Sequence, residues 1–230
     1  MTHPRRPRLA RPPHQAHVTS AHRLPRTAAQ AVCAAALLLA ACASSPPSHF
    51  YTLGAGATEG AASGAAPAAS TQAPAFLIEL APVAVPPQVA RNQLVVQTGD
   101  ARVDVLEQER WASPPAEEIR RALSGDLAAR LGTLDVYGTP HPDNALVYRI
   151  SVNVRRFESW PGARAVLDAV WSVRSVKTQA VSTCRTVADV PVGAGYDALV
   201  EGHRRAVAQL ADAIARTVNR FAANGGSCAP

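Results

Sequence analysis

Apolar and polar residues alternate most regularly between positions 145 and 157. Leu146, Tyr148, Ile150, Val152 and Val154 take one side, and Val147, Arg149, Ser151, Asn153 and Arg155 the other. A period of two belongs to a strand with one buried face. A Pro161-Gly162 turn follows, and Ala165, Leu167, Ala169, Trp171 and Val173 predict the inward face of the next strand. A third strand over Val181–Val187 completes a meander. Upstream, the mostly apolar run Phe76–Val85 has the pattern of a strand buried on both faces. Leu94–Thr98 and Arg102–Glu107 flank Gly99-Asp100 and read as a β-hairpin.

Two stretches switch to the helical period. Ser113, as N-cap ahead of Pro114 and Pro115, predicts a helix with Glu117 and Glu118 in its first turn. Its stripe is Ile119, Leu123, Leu127 and Leu131, and Gly132 ends it. The second helix is longer, from Tyr196 to Ala223. It carries Tyr196, Leu199, His203, Val207, Leu210, Ile214, Val218 and Phe221 at spacings of three and four, and Asn224-Gly225 supplies the stop. Strands, a helix, more strands and a second helix predict one α/β domain, a mixed β-sheet packed with two main helices as an α/β sandwich.

Ahead of that domain the pattern is of another kind. Ala28–Ala41 is an apolar run of roughly 14 residues, too short to cross a hydrocarbon core of ~30 Å as a helix, and it suits the apolar region of an export signal. Its end, Leu39-Ala40-Ala41-Cys42, resembles the bacterial lipobox, in which the leader is removed and the Cys is acylated. Cys33 is a poor rival because Ala34–Leu39 still follow it inside the run. The residue after Cys42 is Ala43 rather than Asp, which by the sorting rule for such proteins points to the outer membrane. Residues 1–41 are therefore expected to be a signal peptide, and Val18 is a candidate GTG start that would leave a leader of ordinary length. Residues 42–75 are expected to be a lipidated N-terminus and tether, and 76–230 the folded domain. The Gly/Ala/Ser/Pro-rich stretch Gly54–Pro74 is the flexible part of that tether, with an r.m.s. span of roughly 25 Å as a Gly-rich coil. Several acyl chains suffice for stable anchoring, at about 0.8 kcal/mol per buried methylene.

A chain of 230 residues, 47% hydrophobic and 17% charged, builds one substantial core. With 5% aromatic residues and a single Met, its anchors are Val, Leu, Ile and Ala. The net charge of +6 suggests a polyanion partner only until it is located. Arg5, Arg6, Arg8, Arg11, Arg23 and Arg26 all lie in the leader, which has no acidic residue; removing them from the 23 Lys and Arg leaves 17 basic against 17 acidic residues. The body is neutral and lacks the footprint of a nucleic-acid binder.

After removal of Cys33 and acylation of Cys42, Cys184 and Cys228 remain, in an oxidising compartment, and are expected to form a disulfide. The chain-entropy cost it would remove from the unfolded state is about 4 kcal/mol. His49, His141 and His203 are the histidines beyond the leader, and no HExxH, GxSxG, P-loop or CxxC spacing occurs. His203, on the apolar stripe, reads as a core histidine with a backbone partner, and Glu117-Glu118 as charge preference at a helix N-terminus. No catalytic residue, cofactor or metal site is expected, and the chain reads as a non-enzyme. Trp111 and Trp171 are expected in the core. Trp160, beside Pro161-Gly162, is a candidate interaction residue.

Taken together, Cys42 followed by "FYTL" (Phe50–Leu53), "IELAPVAVPPQVARNQLVV" (Ile78–Val96), "RWASPPAEEIRRALSGDLAARL" (Arg110–Leu131), "YRISVNVRRFES" and "AVLDAVWSV" resemble the ABC-type transport auxiliary lipoproteins of the PqiC type. The resemblance implies a periplasm-facing, outer-membrane lipoprotein of α/β-sandwich fold. It also implies partners: an MCE-domain protein, an inner-membrane transport component and further copies of the chain in a ring. Such systems move lipids or other hydrophobic compounds between membranes. Two competing readings are an assembly lipoprotein for an outer-membrane barrel and a periplasmic lipid or lipoprotein carrier, which would need an apolar cavity.

Overall fold

Seven strands and two long helices make up the described residues, 46–54, 74–224 and 227–228 of a computed structural model. In chain order they are β1 (His49–Tyr51), β2 (Leu77–Leu80), β3 (Gln93–Gly99), β4 (Arg102–Trp111), helix α1 (Pro115–Leu131), β5 (Val147–Trp160), β6 (Arg164–Ser175), β7 (Val181–Pro191) and helix α2 (Tyr196–Asn224). The strands form one sheet in the order β1-β4-β3-β5-β6-β7, and β2 lies parallel to the first part of β5. The hairpins β3–β4, β5–β6 and β6–β7 are antiparallel, whereas β1–β4 and β2–β5 are parallel, so the sheet is mixed as expected.

The core sits between α2 and the β5–β6–β7 meander. Ala165, Leu167, Ala169, Trp171 and Val173 of β6 are each at most 3% exposed. Register pairs them with Ser159, Phe157, Val154, Val152 and Ile150 of β5 on one side, and with Val190, Ala188, Thr186, Cys184 and Ser182 of β7 on the other. Onto this face α2 lays the stripe expected of it, from Leu199 through His203, Val207, Leu210, Ile214 and Val218 to Phe221, all buried. Complete burial of one Leu or Ile contributes about 1.5–3 kcal/mol. Helix α1 buries Ile119, Leu123 and Leu127 and ends at Gly132 in the left-handed conformation. The helices are joined at their surface by Arg130, whose Nε donates to Asp212 Oδ1 at 2.5 Å.

Several expectations need correction. The run Phe76–Val85 is not one strand buried on both faces, because Pro82 carries no N–H and regular pairing stops at Leu80. The chain nevertheless stays beside β5, with Ala84 N donating to Val152 O at 3.2 Å and Val154 N to Ala84 O at 2.9 Å. Strand β5 runs on to Trp160 because a bulge between Val154 and Arg156 turns Phe157 and Ser159 inward, out of the simple alternation. Ser113 does not cap α1. Pro114 holds that position without a side-chain bond, and the Ser113 hydroxyl is used elsewhere.

The domain also begins earlier than Phe76. β1 pairs with β4 (His49 opposite Glu109, Tyr51 opposite Trp111), so part of the expected tether belongs to the sheet. Gly54–Pro74, much of which lies outside the described residues, therefore joins two strands of one domain rather than suspending the domain from its N-terminus.

Helix α2 crosses the start of β6 and the residue after β7 very closely at Gly202. A Cβ placed there would meet Val192 Cγ1 at 2.2 Å and Ala165 Cβ at 3.1 Å. Although Ala favours a helix over Gly, the stiff branched Val192 cannot yield that far. Gly202→Ala is expected to destabilise the domain by about 1–2 kcal/mol, and adding Val192→Ala should recover most of the loss. Urea denaturation of the three variants measures both. An unaltered midpoint in Gly202→Ala would show that the crossing has slack.

Candidate functional site

A cluster of polar contacts gathers where the N-terminal segment enters the fold. Helix α1 places Glu118 on its inner side, fully buried. One carboxylate oxygen accepts from Thr52 Oγ1 at 2.7 Å and from the Leu53 amide at 2.9 Å. The other accepts from the Ser113 hydroxyl and from Arg121 Nη1 at 3.1 Å. From α2, Arg204 donates Nε and Nη2 to the Thr52 carbonyl at 3.1 and 2.8 Å. On the β4 side, Tyr51 Oη donates to Glu109 Oε2 at 2.6 Å, and His49 Nδ1 lies 2.9 Å from Glu109 Oε1. His49–Leu53 is thus clasped by β4, α1 and α2 together.

The electrostatics follow from this crowding. Burial pushes the Glu118 carboxyl upward, but the hydrogen bonds from Ser113, Thr52 and the Leu53 amide, with Arg121 alongside, outweigh it and hold the group below its ordinary value. Glu109 is likewise lowered: its burial is outweighed by Tyr51 and His49. The Tyr51 hydroxyl is raised by burial and by the Glu109 carboxylate. Sequence reasoning assigned Glu118 to charge preference at a helix end and missed this role. The signal available was "FYTL" in the resemblance, which has no periodicity of its own.

His203 is fully buried, as its place on the stripe predicts, but its partner is a side chain rather than the backbone: Ser159 Oγ lies 2.8 Å from Nε2. Its ring stacks on Phe157 with centroids 4.1 Å apart and meets Trp111 edge-on at 6.0 Å. Nδ1 has no partner. Desolvation lowers its pKa from 6.5 to about 3, so it is neutral at physiological pH.

The remaining predicted residues are scattered. Trp160, half-buried at the end of β5, donates Nε1 to Glu158 at 3.3 Å and lies under the Arg164 guanidinium at 5.3 Å, so its ring is engaged within its own hairpin. Trp111 and Trp171 are core residues, each 3% exposed. Cys184 and Cys228 are joined in a disulfide with Cα atoms 5.7 Å apart, fixing the chain beyond α2 to strand β7. Cys42 and its lipobox Leu39, Ala40 and Ala41 lie outside the described residues. An open cleft of about 560 Å³ between α1 and α2 is floored by Leu53, Ala122 and Gly125 and rimmed by Arg121, Arg204 and Glu201. Among the described residues, no group of His, Cys, Asp or Glu is arranged to hold a metal, and no helix is long and apolar enough to cross a membrane.

A family model described as the ABC-type transport auxiliary lipoprotein component matches residues 56–215. The chain belongs to this family. Two crystal structures share the fold of this auxiliary lipoprotein. An uncharacterised protein is 21% identical with a TM-score of 0.58, covering 75% of this chain and 99% of its own. XCC0632 from Xanthomonas campestris is 14% identical with a TM-score of 0.51, covering 63% of this chain and 86% of its own. Comparison with curated proteins finds no match. The family is that of a transport auxiliary component. For such a lipoprotein the clasp has an evident place: it is where the N-terminal part of the chain becomes part of the folded body.

Two predictions come from these sites. Glu118→Ala removes the acceptor of a buried amide and is expected to cost about 2–3 kcal/mol. Hydrogen exchange should quicken at Leu53 and Tyr51 well before the β5–β6 core responds; unchanged exchange at Leu53 would show that the segment is held by other means. The second concerns pH. Because the folded state keeps His203 neutral to about pH 3 while the unfolded state takes up a proton near 6.5, stability is full above pH 6.5. Below that it falls by up to about 1.4 kcal/mol per pH unit until about pH 3. The depressed carboxylates Glu118 and Glu109 act with the same sign, but only at more acid pH, below the unfolded carboxylate range. In denaturation curves from pH 7 to 5, His203→Gln should flatten the slope. An equal slope in both proteins would assign it to other groups.

Proposed function

We propose that this protein is an outer-membrane lipoprotein, acylated on Cys42 after removal of residues 1–41. It would serve as the docking component of an MCE- and ABC-type system that moves lipids or other hydrophobic compounds between membranes. The match of the family model over residues 56–215 carries this reading, and the lipobox Leu39-Ala40-Ala41-Cys42 supports the anchor. A docking role is favoured over that of a carrier by the way the interior is filled. Leu80, Ile150, Leu167, Leu210 and Ile214 are fully buried within one continuous core between helices and sheet. The cleft between the helices is a groove open to solvent rather than an enclosed cavity, which is poor lodging for an acyl chain.

Homo-oligomerisation belongs to the same proposal. β7 is the long outer strand of the sheet, and its Val181 and Val187 are 45% and 53% exposed. An edge of that kind accepts another strand or a flat partner surface. The partners proposed are an MCE-domain periplasmic protein and, through it, an inner-membrane transport component.

The test is affinity purification of the full-length protein from detergent-solubilised envelopes, with the sedimentation of the complex recorded. An MCE-type protein is expected to accompany it, and Cys42→Ala is expected to leave the membrane fraction and lose most of that partner. Recovery with a single outer-membrane barrel would support the assembly reading instead, and a monomer carrying extractable lipid would support the carrier.

A further inference from the structure

Only Ala43–Ser48 separate Cys42 from β1. Fully extended, that interval reaches at most about 25 Å, and its Pro46-Pro47 pair stiffens part of it. The Gly54–Pro74 stretch adds nothing to this reach, because it follows β1 instead of preceding it. Nor can β1 be spent as slack: the Tyr51–Glu109, Thr52–Glu118 and Arg204–Thr52 contacts fasten the segment on three sides. Whatever surface surrounds β1 is therefore the surface that an anchor on Cys42 brings to a bilayer.

That surface has a side chain suited to the contact. Phe50 is 66% exposed, more than any other large hydrophobic residue described. It lies opposite Arg110 on β4, on the other face of the strand from His49 and Tyr51. The charges beside it are largely satisfied within the protein: Arg110 Nη2 is 3.3 Å from Glu107 Oε2, and Glu109 is held by Tyr51 and His49. A lone exposed Phe beside paired charges does not bind a membrane by itself. Held on a short leash it need not, because tethering sets an effective concentration on the order of millimolar.

We propose that the β1 end of the domain is a bilayer-facing surface, drawn against the headgroup layer by the acyl chains on Cys42, with the Phe50 ring entering the interface. The proposal rests on the reading of Cys42 as the lipidated residue. It fixes an orientation: β7, at the opposite edge of the sheet, points away from the lipid and toward the aqueous space from which a partner approaches.

The experiment uses full-length protein purified from membranes and reconstituted into phosphatidylethanolamine/phosphatidylglycerol vesicles whose acyl chains are brominated. Mass spectrometry of the N-terminal peptide first establishes acylation of Cys42. Phe50→Trp and, as control, Val181→Trp then each add one fluorophore, and their emission is compared with the parent protein in brominated and ordinary vesicles; thermal unfolding confirms that both variants fold. The emission added by Phe50→Trp is expected to fall by roughly twofold or more in brominated vesicles, the depth of an interfacial side chain, while that added by Val181→Trp is unaffected. Acylated Phe50→Trp protein that is quenched no more than Val181→Trp overturns the orientation and leaves the anchor standing. A Cys42 that carries no acyl chain overturns the anchor reading, and the proposal with it.

Discussion

A carboxylate removed from water must be met by donors, and in this fold the demand of one buried carboxylate determines how the N-terminal segment is built in. Glu118 draws Thr52, Leu53, Ser113 and Arg121 to itself. Leaving any of these donors out would cost more than its hydrogen bond contributes, because the charge would stay buried and underpaired. β1 is three residues long and could not hold its place by strand pairing alone. It is kept in the sheet by the groups on either side of it, above all by this acid and by Arg204, which reaches the same stretch from the other helix.

The larger part of the fold follows a simpler rule. A chain poor in aromatic residues has to pack small side chains closely, and it does so where α2 meets the meander. Gly202 on the helix meets Ala165 on the sheet, and Ala169, Ala188, Ala206 and Ala211 are buried in the same core as Leu167, Leu210 and Ile214. Two of the few aromatic side chains, Phe157 and Trp111, cover the His203 ring, whose Nε2 meets Ser159 Oγ. That neutral histidine is as much a filler as its neighbours, and its desolvation by burial is what links packing to pH.

Period-two and period-3.6 patterns located β5, β6, β7 and both helices in the sequence, because each buries one regularly spaced apolar row against the core, even in β6, where Val166 and Asp168 of the other face are buried too. Reading failed where other forces decide. Pro82 ends a strand that its apolar neighbours would have continued, and the bulge at Val154 shifts which residues of β5 face inward. Glu118 looked like a surface charge at a helix start, since nothing local reveals that a distant segment will cover it. β1 was invisible for the same reason: its partners on β4 lie sixty residues away, and the strand is too short to show alternation. Cys184–Cys228 was reached by counting the cysteines that would remain if residues 1–41 were removed and Cys42 acylated.

The clasp also sets how the molecule carries load. If the domain is gripped by a partner while its N-terminus is held elsewhere, tension enters at Ser48 and runs along β1. Where that pull runs along β1, the few backbone bonds to β4 are loaded in shear and resist together instead of parting one after another. Past Tyr51 the pull divides, through Thr52 and Leu53 into α1 by way of Glu118, and through the Thr52 carbonyl into α2 by way of Arg204. Both helices lie on the central core, so a force applied at one terminus is spread over the whole body. A short strand at the edge of a sheet would ordinarily be the first piece to peel; here it is built as a mooring.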